Sequence, residues 1–552
     1  MKRTIEHAPI LIIISPLTGA LLLAVLSKFK PHERLRDLIA FVSLFIPLLL
    51  LFYFSPLALE KPVIYELGGW QHPYGISLVV DSLSITMAFL VSIITITCFV
   101  YSLEVKRLLP KGDKYYFLFL FMTAGLYGVF LTGDLINRYV FFEITLLTTY
   151  VLLTYTGTKE SLRASFYYLI VGSVASFFFL VGIGLLYFKT GYLDFIALSE
   201  TVPELPVSTR NIIFLFFTVS VGIKAGLVPF HSWLPDAHVN SPTPMTAVLA
   251  GLTVKTGVYI LIKMFYLGFD TFAMRNLFIG LGLISGVVGA VMAYNYYDLK
   301  KILAWLTISQ MGVIVTAIAL WSPLGVSSAM MHLVNHTIFK SLLFLSVGGL
   351  ALVHRTRDIR KISLFNSHIL LTSVFIIGAA ALIGVPPMNG FYSYTFLLDA
   401  FHSDWILYGA VLCIQVLTAG AVFRLILSSS KKKVEKDLPV SMLMPMVVLA
   451  GLTIFIGATS TIWMKNIILP AGSSLVVQET ISSGIYLELD SIMTLDGMAV
   501  LLTIPIGFLL AKKVGVKSFV SFKDYFAQIS LTDAVRAMIV FLFAVLVFLS
   551  IA

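Results

Sequence analysis

The chain has 552 residues, 59% of them hydrophobic and only 12% charged, with a formal net charge of +10. No polar stretch is long enough to form a soluble domain, which excludes a globular enzyme and fits a polytopic membrane protein. The basic residues are scattered over short loops instead of clustered, which favours membrane topology over nucleic-acid binding.

The first apolar run, Ala8 to Leu26, follows a short basic start. It is long for a signal-peptide core and lacks a small-residue cleavage site, so it is read as a retained first helix. From there the hydropathy pattern predicts an all-α membrane protein with sixteen spans, at 7–27, 35–59, 78–103, 115–132, 134–156, 163–187, 210–234, 241–267, 274–296, 302–320, 325–353, 367–400, 404–429, 440–464, 494–512 and 531–552. Loops after odd-numbered spans hold 24 Lys and Arg; the other side, with the N-terminal tail, holds nine. The positive-inside rule then puts the odd loops in the cytoplasm and both termini outside the cell membrane. The two cysteines, Cys98 and Cys413, both fall inside apolar runs, as buried inert thiols do.

Two spans carry proline at mid-helix: Pro229 in GLVPFHSWLP and Pro386–Pro387 in IGVPPMNGF. Proline removes a backbone donor and clashes with the preceding turn. Inside lipid, freed backbone groups are tolerated only against protein or a wet cavity. Spans 7 and 12 are therefore expected to be broken helices lining a cavity. Val228–Pro229 and Val385–Pro386 lie five spans apart, which hints at a duplication of spans 4–8 in spans 9–13. An odd number of spans per copy inverts one copy relative to the other, a transporter design. The corresponding division is 1–110 (spans 1–3), 111–270 (spans 4–8), 271–430 (spans 9–13) and 431–552 (spans 14–16 with a short connecting segment).

Several spans hold a charge at mid-depth, where insertion costs at least ~2.5–3.5 kcal/mol. Glu143 lies in VFFEITLL of span 5, Lys224 five residues before Pro229, and Lys255 in the middle of span 8. A carboxylate or ammonium cut off from water is poised to exchange a proton, and a partner of opposite charge holds it ionised. A Glu143–Lys224 pair of variable separation would switch the lysine; a static ion pair joining two helices is the alternative. Lys255 has no evident snorkelling route, whereas Lys263, nearer the end of the span, is read as an anchor. In span 11, His332, His336 and Lys340 are spaced i, i+4, i+8 and share a helix face. Three such groups suggest a proton relay. The alternatives are two core histidines, or an HxxxH metal site without the Glu of the zinc-protease pattern and disfavoured by the lysine. The spacer HSWLPDAHVNSPTP, with His231, Asp236 and His238, is either a polar connection or a weak metal candidate.

Together these motifs resemble the antiporter-like subunits of respiratory complex I and the D-type subunits of Mrp cation/proton antiporters, a family also found in membrane-bound hydrogenase and related sulfur-reducing complexes. KAGLVPFHSWLPDAHVNSPTPMTAVLAGLTVKTGVY (Lys224 to Tyr259) is very similar to the family signature, and HLVNHTIFKSLLFLSVG and GVPPMNGF add two family-like segments. The resemblance spans roughly residues 70–430. It implies a fourteen-helix core of two inverted five-helix repeats with helices 7 and 12 broken. It also implies roles: Glu143 and Lys224 as a coupled pair, Lys255 as central carrier, and His332, His336 and Lys340 as the connecting relay. One position departs from the pattern. Where the family has Lys or Glu after the second break, this chain has Tyr394, whose unperturbed pKa is about 10. Asp399, five residues on, is the candidate substitute, and the exit path is assigned to Tyr394 and Asp399 together. Spans 15 and 16 extend beyond the family core. Their connection of about twenty residues, at most ~30 Å if helical, could embrace one neighbouring subunit.

The expected function is translocation of H⁺, or of Na⁺ and H⁺, as one subunit of a larger Mrp-like or complex I-like assembly in the lipid bilayer. No dinucleotide fingerprint, Cys cluster or haem motif is present, so no cofactor or metal is assigned to this chain and any electron transfer belongs to partner subunits. A structural scaffold with an impaired exit path and a stand-alone secondary transporter are the alternatives.

Overall fold

The computed structural model describes residues 7–29, 32–106, 114–365, 368–430, 438–476 and 494–513, with Asp533, Arg536 and Val540. Thirteen of the described helices are long and apolar enough to cross a bilayer. Span 4 is a shorter apolar helix, Tyr115–Leu131, and span 12 is divided, so all of the first fifteen expected spans are helical. Of the sixteenth, 531–552, only Asp533, Arg536 and Val540 are described; its other residues, and all but Lys513 of the segment joining it to the fifteenth, lie outside the described residues.

Helix starts are set locally. Asp81, Asp134, Thr158, Thr271, Asp298, Ser322 and Asp404 each accept a hydrogen bond from a first-turn backbone N–H, which satisfies a donor the helix leaves orphaned. Span 3 accordingly runs from Ser82 to Val105. The expected start at 78 is corrected: Ser77–Val80 is a strand, paired antiparallel with Val63–Glu66 in a hairpin between spans 2 and 3. Period-2 apolar residues next to a longer apolar helix merge into one hydropathy peak, which hid the strand.

The most apolar 18-residue stretches of spans 8 (Thr243–Phe269), 10 (Leu299–Ala319) and 11 (Pro323–His354) are 94%, 100% and 89% buried, against 33% for those of spans 1 and 2. Lys255 of span 8 and His332, His336 and Lys340 of span 11 are each 0% exposed, so they face protein on all sides and have no lipid to snorkel through. Cys98 is buried as expected, but Cys413 is exposed on the surface of the bundle, because span 13 turns that face outward.

Both breaks are present. Span 7 runs Val207–Ala225, turns, and resumes as Trp233–Asn240; span 12 runs Ile369–Ile383 and resumes as Asn389–Ala400. Each first half ends on a left-handed glycine, Gly226 (φ 68°) and Gly384 (φ 77°), the conformation that glycine adopts without steric cost. The turns match bond for bond. Gly226 N–H donates to Ile223 O (3.1 Å) and Leu227 N–H to Gly222 O (2.9 Å), while Gly384 N–H donates to Ala381 O (3.2 Å) and Val385 N–H to Ala380 O (2.9 Å). This register pairs Val228–Pro229 with Pro386–Pro387, one residue beyond the Val-Pro match expected from sequence.

A second feature recurs at a constant spacing. Leu135 N–H donates to Leu193 O and Phe195 N–H to Gly133 O, tying the start of span 5 to the loop after span 6. Leu299 N–H donates to Arg357 O and Ile359 N–H to Tyr297 O, tying the start of span 10 to the loop after span 11. Five crossings separate the two ties, so they lie at opposite ends of the bundle, as inverted copies require.

Candidate ion-translocation site

Lys224 occupies the last turn before the first break. Its Nζ lies 4.0 Å from the centre of the Phe142 ring, a cation–π contact that partly replaces lost hydration. Glu143, the next residue on span 5, acts on Lys224 electrostatically, but no ion pair within 4.0 Å joins them and Glu143 Oε1 is buried with no hydrogen-bond partner among the described residues. The static ion pair is thus absent. A cavity of about 30 Å³ lies beside Lys224, lined by Phe142, Thr145, Tyr168, Trp233 and Thr253, with room for one or two waters.

That cavity borders the turn that carries Lys255. Thr253 and Thr256 line it, and span 8 packs so closely on the end of span 7 that a Cβ on Gly257 would stand 2.5 Å from Ala225 N. Leu249–Thr253 is a π-helical turn, a local widening that recurs at functional sites. It aims the Ala250 carbonyl at the Lys255 ammonium, which donates to it. Lys255 is 0% exposed, as its mid-span position led us to expect. Lys263 is corrected. It does not snorkel: it is buried in an ion pair with Asp81, the cap of span 3.

Lys255 interacts electrostatically with Lys340 and His336, which places it beside the relay on span 11. Lys340, His336 and His332 are all fully buried. Lys340 Nζ donates to Leu303 O of span 10 (3.0 Å). Among the described residues His336 has no hydrogen-bond partner for either ring nitrogen, a rare condition for a buried polar group and one that marks functional sites. Its ring centre is 6.2 Å from that of His332. His332 Nε2 meets Gln310 Oε1 (3.0 Å) and Nδ1 meets Ser393 Oγ (2.9 Å). The Tyr394 hydroxyl donates to the same Gln310 Oε1 at 2.5 Å. The Gln310 carbonyl oxygen can only accept, so His332 carries a proton on Nε2, while the one hydroxyl hydrogen of Ser393 is divided between His332 Nδ1 and Gly390 O (3.1 Å). The row Lys255, Lys340, His336, His332, Gln310, Tyr394 thus joins spans 8, 10, 11 and 12.

Asp399 stands apart from this row. It lies partly buried near the end of span 12, in electrostatic contact with His402 and with Asp496 of span 15. The spacer after the first break is also corrected: Trp233–Asn240 is a helix, not a loop. His238 Nδ1 bonds to Leu234 O of its own helix (2.8 Å), and His231 packs against Trp305. Among the described residues no three His, Cys, Asp or Glu side chains come together as a metal group.

Sequence reasoning missed four buried or half-buried polar groups. Gln310, in LTISQMGVIV, is a neutral amide and carries no charge signal. Lys300, counted with the loops, is buried at the start of span 10 and donates to Ser241 O (2.8 Å) and Thr246 Oγ1 (3.1 Å) of the span 7–8 junction. Arg138, also counted with a loop, is 1% exposed and donates to Thr132 O. Asp81, partner of Lys263, sits at a helix start and looked like a cap alone.

The fold and this row define a polytopic helical membrane protein with ionisable side chains threaded between two broken helices. The chain belongs to the NADH:quinone oxidoreductase/Mrp antiporter transmembrane family, whose profile matches residues 132–419. It is 32% identical to a D-type Na⁺/H⁺ antiporter subunit of Alkalihalophilus pseudofirmus over 447 residues, 78% of this chain and 90% of that one. It is also 32% identical to an N-type NADH-quinone oxidoreductase subunit of Desulforudis audaxviator over 499 residues, 84% of this chain and 98% of that one. Among solved structures, a chain of the membrane-bound sulfane sulfur reductase, an archaeal respiratory membrane complex, superposes with a TM-score of 0.80 at 27% identity, covering 85% of this chain and 98% of that one. A chain of the Mrp complex from Dietzia shares the fold, with a TM-score of 0.77 at 21% identity over 86% of this chain and 98% of that one.

Proposed function

We propose that the chain translocates protons, or exchanges Na⁺ for H⁺, as one membrane subunit of an Mrp-like or complex I-like assembly. The observation that carries this reading is the row of fully buried ionisable groups from Lys255 to His332, continued by Gln310 and Tyr394, which no lipid or bulk water reaches. Charged groups are retained at such depth where they serve an ion path. Its relatives' names, an antiporter subunit and a quinone oxidoreductase subunit, support the same class of activity.

In this mechanism Lys224 holds a proton over Phe142. Movement of the Glu143 carboxylate toward Lys224 retains that proton, and movement away releases it through the threonine-lined cavity to Lys255. Lys255 passes it along Lys340, His336 and His332 toward the second break. His336, with neither nitrogen engaged, can accept on one and donate from the other without first breaking a bond. The division at 111–270 and 271–430 gives each half one broken helix. Both termini lie outside the cell membrane, and electron-transfer cofactors, where the assembly uses them, reside in partner subunits. The test is His336→Leu in the purified assembly sealed into vesicles. Ion flux should fall at least about tenfold, a barrier change of only ~1.4 kcal/mol, with every subunit retained. Wild-type flux would overturn the relay.

A further inference from the structure

Beyond Tyr394 the row meets a second group of buried polar side chains on spans 13 and 15. Gly384, at the second break, is where spans 12, 13 and 15 converge. The point where a Cβ would stand on it is 3.5 Å from Tyr394 Cδ2, 3.5 Å from Gln415 Nε2 and 3.0 Å from Val500 Cγ1. Gln415 is 2% exposed, and among the described residues neither its amide oxygen nor its nitrogen has a hydrogen-bond partner. A buried amide with both ends unsatisfied costs stability unless something transient occupies it. One turn before Val500 on span 15 is Asp496, 8% exposed; two turns before Gln415 on span 13 is Tyr408. Tyr408 donates to Asp496 Oδ1 at 2.8 Å. His402 Nδ1 stands 3.8 Å from the same oxygen, and its side chain is 48% exposed. Asp399 is a further charged group acting on this carboxylate.

We propose that Asp496, supplied by the helix beyond the family core, is the outlet acceptor of the ion path, reached from Tyr394 by water held on the Gln415 amide. The proton leaves an imidazolium of the span 11 row, breaking an N–H bond. It forms an O–H bond on the Asp496 carboxylate and is returned to water beside His402. Span 15 thereby supplies a carboxylate beyond the neutral Tyr394 phenol. This rests on the translocation reading above.

The test uses the assembled complex in vesicles with Asp496→Asn, Asp496→Glu, Gln415→Leu and, in parallel, Lys255→Ala. Asp496→Asn keeps an acceptor for Tyr408 but cannot take up the proton, so flux should fall at least about tenfold, and Asp496→Glu should restore it. Gln415→Leu replaces an unsatisfied amide by an apolar group of similar size, so thermal stability should hold or rise while flux falls. Loss of flux therefore cannot be ascribed to unfolding. Wild-type flux in Asp496→Asn or Gln415→Leu, with flux abolished in Lys255→Ala, overturns the outlet alone. Wild-type flux in Lys255→Ala as well overturns the translocation reading itself.

Discussion

Gln310 sets the chemistry of the relay's far end although it never ionises. Its carbonyl oxygen accepts from both His332 and Tyr394, and its amide nitrogen lies 3.4 Å from Thr418 Oγ1. This fixes the His332 tautomer and holds the tyrosine against the histidine, with ring centres 4.7 Å apart. Gln310→Leu would strand two buried donors, each costing about 1–3 kcal/mol. A lower melting temperature of the detergent-purified protein is expected, with ion flux reduced further than stability alone explains. Unchanged melting and flux would remove Gln310 from the path. The lysines and histidines were legible in sequence because a charge inside an apolar run is conspicuous. Gln310 was not, since one amide among leucines and isoleucines has no signature. Nor was the Lys263–Asp81 pair, whose members come together only through folding of spans 3 and 8.

At the scale of elements, the two breaks and the π turn position the carriers. Both breaks announced themselves through proline, but their register was one residue off in sequence, because the turn is anchored by the left-handed glycine and not by the Val-Pro pair. The π turn of span 8 was not legible: Gly251 in LAGLT weakens a helix without specifying a π turn, and its close approach to span 11, where a Cβ on Gly251 would stand 2.4 Å from Ser341 Oγ, forms only on folding. Replacing Gly384 tests the second break. A non-glycine residue in the left-handed region costs roughly 1–2 kcal/mol, and the added methyl would press on Val500 at 3.0 Å. Gly384→Ala should therefore lower the melting temperature and weaken the contact between spans 12 and 15. A thermal-shift measurement showing no change would mean that the turn tolerates a side chain.

Across the whole molecule, charge in the loops orients the bundle. Lys300, Arg138 and Lys263 must be struck from the loop count because they are buried, and the asymmetry survives their removal. Lys159 and Lys189, at the two ends of span 6 and both exposed, report on orientation. On intact cells a membrane-impermeant maleimide should label Lys189→Cys and not Lys159→Cys; the reverse pattern would invert the topology. Composition and span count gave the membrane class outright, since burial in lipid demands long apolar helices. The hairpin before span 3 and the junction at span 15 emerged only from the assembled structure. Everything proposed for function converges on Lys255, wholly buried where span 8 packs on span 11. The most direct measurement is ion flux into sealed vesicles carrying the purified assembly, read with a pH-sensitive dye and with radioactive sodium, for wild type and Lys255→Ala. Flux should be abolished in the variant while all subunits remain assembled. Wild-type flux through an assembly lacking that lysine would contradict translocation along the buried row.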